Sequence, residues 1–395
     1  MKGNIEQVGI SNRIQSLDVL RGLSLLGILV INMISFHSPF GYYNPYEWWK
    51  YGDLAVFTWL DIFVQASFYP IFAMMFGYGM VIMQKRSALK GISFYKISIR
   101  RLIVLLVIGI LHAFFVWHGD ILITYAIMGL VLLLLMKLSG TMLMTIGAVV
   151  YIIPQLFLSG MLVIISMIDV SALGDFTDIV ALQQAETTYA TGTFWEITQQ
   201  RFIDWSVNNN IGGFIVYLIM ILPLMMIGAG AAKKQWLEKA NKQRKGWTIL
   251  LVITLPIGLL IKMLPFYIEP SMSLQYVQDM LGGPILSFAY IAIVVLLMTN
   301  KYVVQILKPL ASAGRMSITI YLTQSIVGTF IFYQYGLGLY GEMSMQTGTL
   351  LAITIFIIQV ILAEIWLWKF KQGPVEKVWR LLTYGRTKIK GVEEK

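Results

Sequence analysis

Long apolar runs constrain this chain more than any other feature it has. A helix needs roughly 20 mostly apolar residues to cross the hydrocarbon layer of a bilayer. By that measure the sequence offers about ten spans, at 16–37, 54–83, 102–118, 120–137, 142–168, 211–231, 248–265, 281–299, 310–334 and 348–369. Lipid offers no partner for backbone N–H and C=O groups, so runs of this length must be helical. The prediction is an all-α, polytopic membrane helix bundle of about ten transmembrane helices, with residues 1–395 forming a single membrane domain. The third and fourth spans meet at Gly119-Asp120, which predicts a tight helical hairpin. The first 16 residues are polar and the run that follows carries Asp18 and Arg21, so no cleavable signal peptide is predicted.

Composition narrows the chemistry. The chain is 57% hydrophobic and 13% charged, with a mean hydropathy of +0.73. A soluble domain carries about 25% charged residues, so a soluble enzyme and a disordered chain are both excluded. There are no cysteines. Disulfides, thiolate nucleophiles and Cys-ligated metals are therefore excluded, and any chemistry must use His, carboxylates, hydroxyls or amides. With only three histidines and no cysteine in the chain, no His-rich metal or haem site is expected.

The Lys/Arg bias between alternate loops sets the orientation. Residues 84–101 hold Lys85, Arg86, Lys90, Lys96, Arg100 and Arg101; residues 232–247 hold Lys233, Lys234, Lys239, Lys242, Arg244 and Lys245. The tail after Trp368 adds Lys369, Lys371, Lys377, Arg380, Arg386, Lys388, Lys390 and Lys395. Ten spans place all three on one side. The opposite loops hold little beyond Lys50 and Arg201, and 169–210 carries Asp169, Asp175, Asp178, Glu186, Glu196 and Asp204. The expected topology is N-in, C-in, with 38–53 and 169–210 outside and 370–395 a cytoplasmic amphipathic tail. The net charge of +10 is then loop asymmetry, and nucleic acid is not an expected partner. The aromatics Phe40, Tyr42, Tyr43, Tyr46, Trp48, Trp49 and Tyr51 fit either an interfacial belt or a lid over an external vestibule. Residues 186–207, with Trp195 and Trp205, are expected to form an amphipathic helix on the outer surface. Residues 374–384, which open on Pro374 and carry Trp379, are expected on the inner surface.

Ionisable groups at membrane depth are costly and usually face the bundle interior or a wet cavity. The first span holds Asp18, Arg21 and Asn32 on one face, and Arg21 and Asn32 are eleven residues apart, about 20° from eclipse. The third span repeats the pattern with Arg101 and His112. Asp120 and Asp61 are the candidate carboxylates to orient His112, whose neutral imidazole suits a general base. His118 and His37 fall at the outer membrane edge and read as interfacial. The ninth span offers Arg315, which matches phosphate oxygens, and then Tyr321, Thr323, Gln324 and Ser325 near mid-membrane. Each has a structural reading too: a snorkelling ion pair for Asp18 and Arg21, a packing hydrogen bond for His112, a headgroup anchor for Arg315. Lys262 and Glu364 lie near span ends and read as snorkelling residues. Together, arginines toward the cytoplasm and His/carboxylate groups toward the outside suggest a polyanionic ligand entering from the cytoplasm, with chemistry or passage in the outer half. There is no Walker A run, so ATP-driven transport by this chain alone is not expected.

These residues also carry a resemblance. The run Arg13-Ile14-x-Ser16-Leu17-Asp18-Val19-Leu20-Arg21-Gly22, continued by Gly27-Ile28-Leu29-Val30-Ile31-Asn32, resembles the opening of the YeiB-like bacterial membrane proteins (domain of unknown function 418). Met74-Met75-Phe76-Gly77-Tyr78-Gly79 is similar as well. So are Arg100-Arg101-Leu102, Gly109-x-x-His112 and Gly119-Asp120-Ile121-Leu122-x-x-Tyr125-Ala126. Gly314-Arg315-Met316-Ser317 with Tyr321-Leu322-x-Gln324-Ser325, and Gly373-Pro374-Val375-Glu376 with Trp379-Arg380, complete the match. That family resembles, more distantly, the transmembrane acyltransferases that include heparan-glucosaminide N-acetyltransferase. Those proteins share an Asp-x-x-Arg-Gly in the first span, here Asp18 and Arg21. A membrane-embedded His is commonly implicated as base in those proteins, and His112 is the deeply placed candidate here; the stretch from His37 to Asp53 departs from the lysosomal enzyme's His-containing stretch.

The resemblance implies a bacterial cytoplasmic-membrane acyltransferase with acyl-CoA (acetyl-CoA) as donor and a small-molecule, glycan or lipid acceptor at the outer side. Asp18, Arg21, Arg101 and Arg315 would hold the CoA. His112 would act as base, with Asp120 or Asp61 orienting it and Asn32 or Gln324 polarising the thioester carbonyl. The alternative is a transporter or efflux protein for a small organic anion or lipid, with Pro70, Pro154, Pro223 and Pro256 as candidate helix breaks. The lipid bilayer is the expected environment, and a homodimer is compatible with the sequence.

Overall fold

The computed structural model describes residues 14–168, 177–268 and 271–384. Arg13, the acids Asp169 and Asp175, and the tail beyond Tyr384 lie outside the described residues. The architecture is all-α, and no strand occurs among the described residues. It opens with α1 Gln15–His37, the outer turn α2 Pro45–Trp48, α3 Tyr51–Phe63, α4 Tyr69–Leu89, α5 Phe94–Phe115 and α6 Leu122–Leu135. Then come α7 Gly140–Ile168, α8 Ile179–Thr191, α9 Phe194–Asn208, α10 Ile211–Lys233, α11 Arg244–Lys262 and the turn α12 Leu264–Tyr267. The chain continues through α13 Met272–Val277, a π turn at Gln278–Gly282, α14 Gly283–Leu297, α15 Lys301–Ile306, α16 Lys308–Arg315, α17 Ser317–Phe332, α18 Met345–Lys369 and α19 Pro374–Tyr384.

Among the described residues, seven helical segments are long and apolar enough to cross a membrane, and α6 and α17 are shorter apolar helices. The protein is a helical polytopic membrane bundle. Lipid-type surface is plain on α7, where Ile153, Phe157 and Ile164 are exposed. The interior has two apolar halves. Met74, Tyr78, Met225 and Ala229 sit in one, and Leu25, Ile320, Phe332 and Phe356 in the other.

Two of the spans read in the sequence are broken. Residues 54–83 form α3 and α4 with an elbow between them, not one helix. The Leu60 carbonyl accepts from both Val64 and Gln65 N–H, Ala66 takes φ +56°, and Pro70 opens α4. A proline with no N–H suits the first turn of a new helix and not the middle of an old one. Residues 310–334 divide at Met316 into α16 and α17. The expected single helix at 186–207 is also two, α8 and α9, separated at Gly192 by a capping box between Thr193 and Glu196.

Close crossings at small residues lock the bundle, as is common between membrane helices. A Cβ on Gly228 of α10 would stand 1.9 Å from the Met74 carbonyl oxygen of α4. The nearest obstacle is backbone, so the helices must part. Gly228→Leu is expected to cost at least about 1–3 kcal/mol, read as a lower melting temperature and loss of the monodisperse peak in detergent.

Candidate functional site

The basic segments gather at one end of the bundle. A cavity of about 1140 Å³ is lined there by Asp18 and Arg21 of α1, Lys85, Arg86 and Lys90 at the end of α4, and Arg101 of α5. The α10–α11 connection adds Glu238, and Arg315, Lys371, Glu376, Trp379 and Arg380 complete the polar wall. The N-terminal segment, both basic loops and the tail helix therefore line one cavity. Eight basic side chains line the cavity against three acidic ones, and the acids are engaged. Asp18 pairs with Arg21 at 3.7 Å. Glu238 accepts from the Tyr78 hydroxyl. Glu376 accepts from Ile318 N–H (2.8 Å), Thr319 N–H (3.1 Å) and the Thr319 hydroxyl (2.6 Å), closing the N-terminus of α17.

Local packing fixes the three arginines read in the sequence. Arg21 donates to the Met75 carbonyl (3.3 Å). Arg101 lies over the Trp379 ring at 4.0 Å, while the Trp379 indole N–H donates to the Arg101 carbonyl (3.0 Å). Arg315 sits at the α16–α17 junction and donates to the Lys371 carbonyl (3.3 Å). It reaches the same cavity because α16 lies directly on α1: a Cβ on Gly314 would be 1.9 Å from the Asp18 carbonyl oxygen. Asp18, Arg21, Arg101 and Arg315 thus share one cavity. The tail helix is not simply laid on a surface; it docks on α5 and α17 through Trp379 and Glu376 and presents Val378, Leu381 and Leu382 outward.

Deeper along α5, His112 and Asp120 form a buried pair, with Nδ1 of His112 2.7 Å from Oδ2 of Asp120. Asp120 Oδ1 accepts from Ile123 N–H (2.8 Å) and so caps the first turn of α6. The carboxylate is committed as an acceptor on both oxygens, and we assign the imidazole proton to Nδ1 on that ground. Nε2 is buried with no hydrogen-bond partner among the described residues. The ring packs on Tyr321 at 5.1 Å between centroids, and the Tyr321 hydroxyl donates to the Gly119 carbonyl and accepts from Ile121 N–H. Helix α17 therefore clamps the hairpin. Eleven residues separate Arg101 from His112, about 16 Å of helix. Arg21 and Asn32 are equally spaced on α1, whose Phe36 touches Trp117 of the hairpin at 4.5 Å. Asn32 and His112 consequently lie at one depth.

Two sequence-stated candidates fall elsewhere. Asp61 is not a partner of His112; it binds Tyr46 and Gln278, because the elbow after Phe63 turns its helix toward α11 and the π turn. Gln324 donates to Gln359 of α18 (3.1 Å). Lys262 does not snorkel: it is fully buried and paired with Asp279 at 3.1 Å. Glu364 is held by the Ser312 hydroxyl (2.5 Å) and Lys308 (3.4 Å). His37 is buried against Trp49 and Phe332.

Sequence reasoning missed the outer cap. Asp204 accepts from Tyr42 (2.6 Å), Tyr189 (2.5 Å) and Gln200 (2.7 Å), and His118 stands beside it. Arg201 is wholly buried among Phe194, Tyr333 and Tyr335 and donates to the Tyr335 hydroxyl (2.8 Å). Tyr43 and Trp49 are buried as well, whereas Trp48 and Tyr51 of the same outer segment are exposed. The available signal was Gly192-Thr193-x-x-Glu196, a helix start inside the presumed single helix.

Comparison with known proteins places this arrangement. A family model described as "Protein of unknown function (DUF418)" matches residues 231–386. YxaH of Bacillus subtilis is 34% identical over 391 residues, covering 95% of each chain. A 39.9 kDa protein of the amylase 3′ region of Bacillus acidopullulyticus is 24% identical over 97% of each. YeiB of Escherichia coli is 26% identical over 93% of this chain and 95% of its own. The similarity therefore runs through both the cavity and the His112 hairpin, and the chain belongs to the DUF418 family of bacterial membrane proteins.

Proposed function

We propose that the protein is an acyltransferase of the bacterial cytoplasmic membrane that moves an acyl group from cytoplasmic acyl-CoA to an acceptor at the outer side. One observation carries this reading: a basic cavity and a buried His–Asp pair share one helix, with Arg101 at the cavity and His112 about 16 Å deeper. The cavity exceeds the roughly 300–1,000 Å³ of ordinary small-molecule pockets. Its excess of guanidinium and ammonium groups suits the phosphates of CoA, and the positive-inside rule puts its mouth in the cytoplasm.

Arg21, Arg101 and Arg315 hold the phosphates, with Asp18 positioning Arg21. The acyl arm runs outward along α1 and α5. Asp120 fixes the His112 tautomer, so Nε2 is the free base. Nε2 takes the proton of an acceptor hydroxyl or amine as its oxygen or nitrogen attacks the thioester carbon; the C–S bond breaks and the proton passes to the CoA thiolate. Asp120 stabilises the imidazolium between these steps. Asn32, at the same depth, is the amide that polarises the thioester carbonyl. With no cysteine in the chain, transfer is direct. In lipid nanodiscs, the purified protein is expected to bind acetyl-CoA and release free CoA thiol when acceptor is present. Protein that neither binds nor hydrolyses any acyl-CoA sinks the reading.

A second reading is carriage of a small organic anion or lipid. The α3–α4 elbow favours it, because it adjoins buried charges as discontinuous helices do in secondary transporters. Sealed proteoliposomes that exchange a labelled organic anion, while acyl-CoA stays intact, would decide for transport.

A further inference from the structure

A second polar cluster lies apart from the His112–Asp120 pair, and it stands independently of the acyl-transfer reading. Asp61, 1% exposed on α3, accepts at Oδ2 from the Tyr46 hydroxyl (2.7 Å) and the Gln278 amide (2.8 Å). Its Oδ1 is buried and meets no donor among the described residues. Lys262 donates to Asp279 (3.1 Å) and to the Gln65 carbonyl (3.1 Å). Gln278 joins the two halves by donating also to the Lys262 carbonyl (2.8 Å). The irregular backbone of the bundle converges here: Gln65 lies in the elbow, Gln278 and Asp279 in the π turn, and Lys262 ends α11.

The charges in this cluster do not balance. The titratable groups facing Asp61 are Tyr46 from the outer loop, Lys262 from α11 and Asp279 from the π turn. Fully ionised, two carboxylates face one ammonium, which leaves one negative charge in excess where burial is costly. The Oδ1 atom has been stripped of water and given no donor in return. One proton there brings the cluster to neutrality, and Oδ2 then serves as a carbonyl oxygen that keeps both its hydrogen bonds. A calcium ion takes about six to eight oxygen ligands, whereas the cluster presents a single unbonded carboxylate oxygen.

We propose that Asp61 is a proton-exchange site, which takes up and releases one proton at Oδ1 while Lys262 and Asp279 remain a fixed ion pair. Its hydrogen-bond donors come from the outer loop and the π turn, so release of the proton changes the charge that holds those segments to α3. The test is infrared spectroscopy of the full-length protein in lipid nanodiscs through a pH titration. A protonated-carboxyl band should be present at low pH and vanish as pH rises. It should be missing in Asp61→Asn and, in Asp279→Asn, survive only at lower pH, because Lys262 is then left to balance Asp61. Tyr46→Phe removes one hydrogen bond to Oδ2 and should shift the band's frequency, which keeps the test decisive if Asp61→Asn does not fold. Absence of the band from wild type at every pH, or a band that neither variant alters, would overturn the proposal. Disappearance of the band on adding sodium at constant pH would overturn it in favour of a metal cation.

Discussion

Replacing His112 with alanine is expected to lower acyl transfer by about 10²- to 10⁴-fold, the usual contribution of a positioned general base, while acyl-CoA binding is unchanged. The separation follows from the geometry. The phosphate-binding arginines lie at the cavity and His112 lies about 16 Å deeper on α5, so the change falls on kcat and spares the Kd for CoA. Asp120→Asn makes the sharper test. Asp120 Oδ1 caps α6 through Ile123 and Oδ2 faces His112 Nδ1. An asparagine can keep the cap with its carbonyl oxygen, but then turns an NH₂ toward Nδ1. That arrangement forces the imidazole proton onto Nε2, where the lone pair of the base is needed. The variant should fold, bind acyl-CoA and turn over slowly, with an altered pH–rate profile. Steady-state turnover measured beside calorimetric binding checks both variants. Full activity in either would reduce the pair to a packing hydrogen bond.

The parts legible in the sequence are those that helical period alone decides. Arg21 and Arg101 each stand at the start of an apolar run, so the cavity that gathers them could be read from spacing and loop charge. Asp120 and Asp61 are equal candidates to orient His112 in the sequence, and the short connection between Phe115 and Leu122 is what brings Asp120 to it. Asp61 could not be assigned, since its direction depends on an elbow at Val64–Phe68 that the unbroken apolar run conceals. Lys262 reads as a snorkelling residue until Asp279, two residues before the expected start of its span, is seen to reach it. Arg201 lies in a segment of mixed polarity, and its burial depends on aromatics from α9 and the stretch after α17, more than 100 residues apart. No local pattern reports such a contact.

Neutralising the cavity arginines is expected to weaken acyl-CoA binding in steps. A hydrogen bond to a charged group contributes about 1.5–3 kcal/mol, so Arg21→Gln, Arg101→Gln and Arg315→Gln should each raise the Kd by roughly 10- to 150-fold. The three are not equivalent. Arg315 holds the backbone of the tail segment through Lys371, and Arg101 stacks on Trp379. Arg101→Lys therefore keeps the charge and loses the stacking, and its Kd should fall between wild type and Arg101→Gln. Arg21 is paired with Asp18, so its removal also takes a positive charge from beside a buried carboxylate, and this variant should be the least stable of the three. Lys245→Gln is the control. Lys245 is an exposed basic residue at the start of α11 that does not line the cavity, and its loss should leave the Kd unchanged. Rising salt should weaken binding by wild type more than by the arginine variants, because fewer charge contacts remain to be screened. If Lys245→Gln weakens binding as much as Arg315→Gln, the effect belongs to the net charge of +10, and the cavity loses its claim to the phosphates.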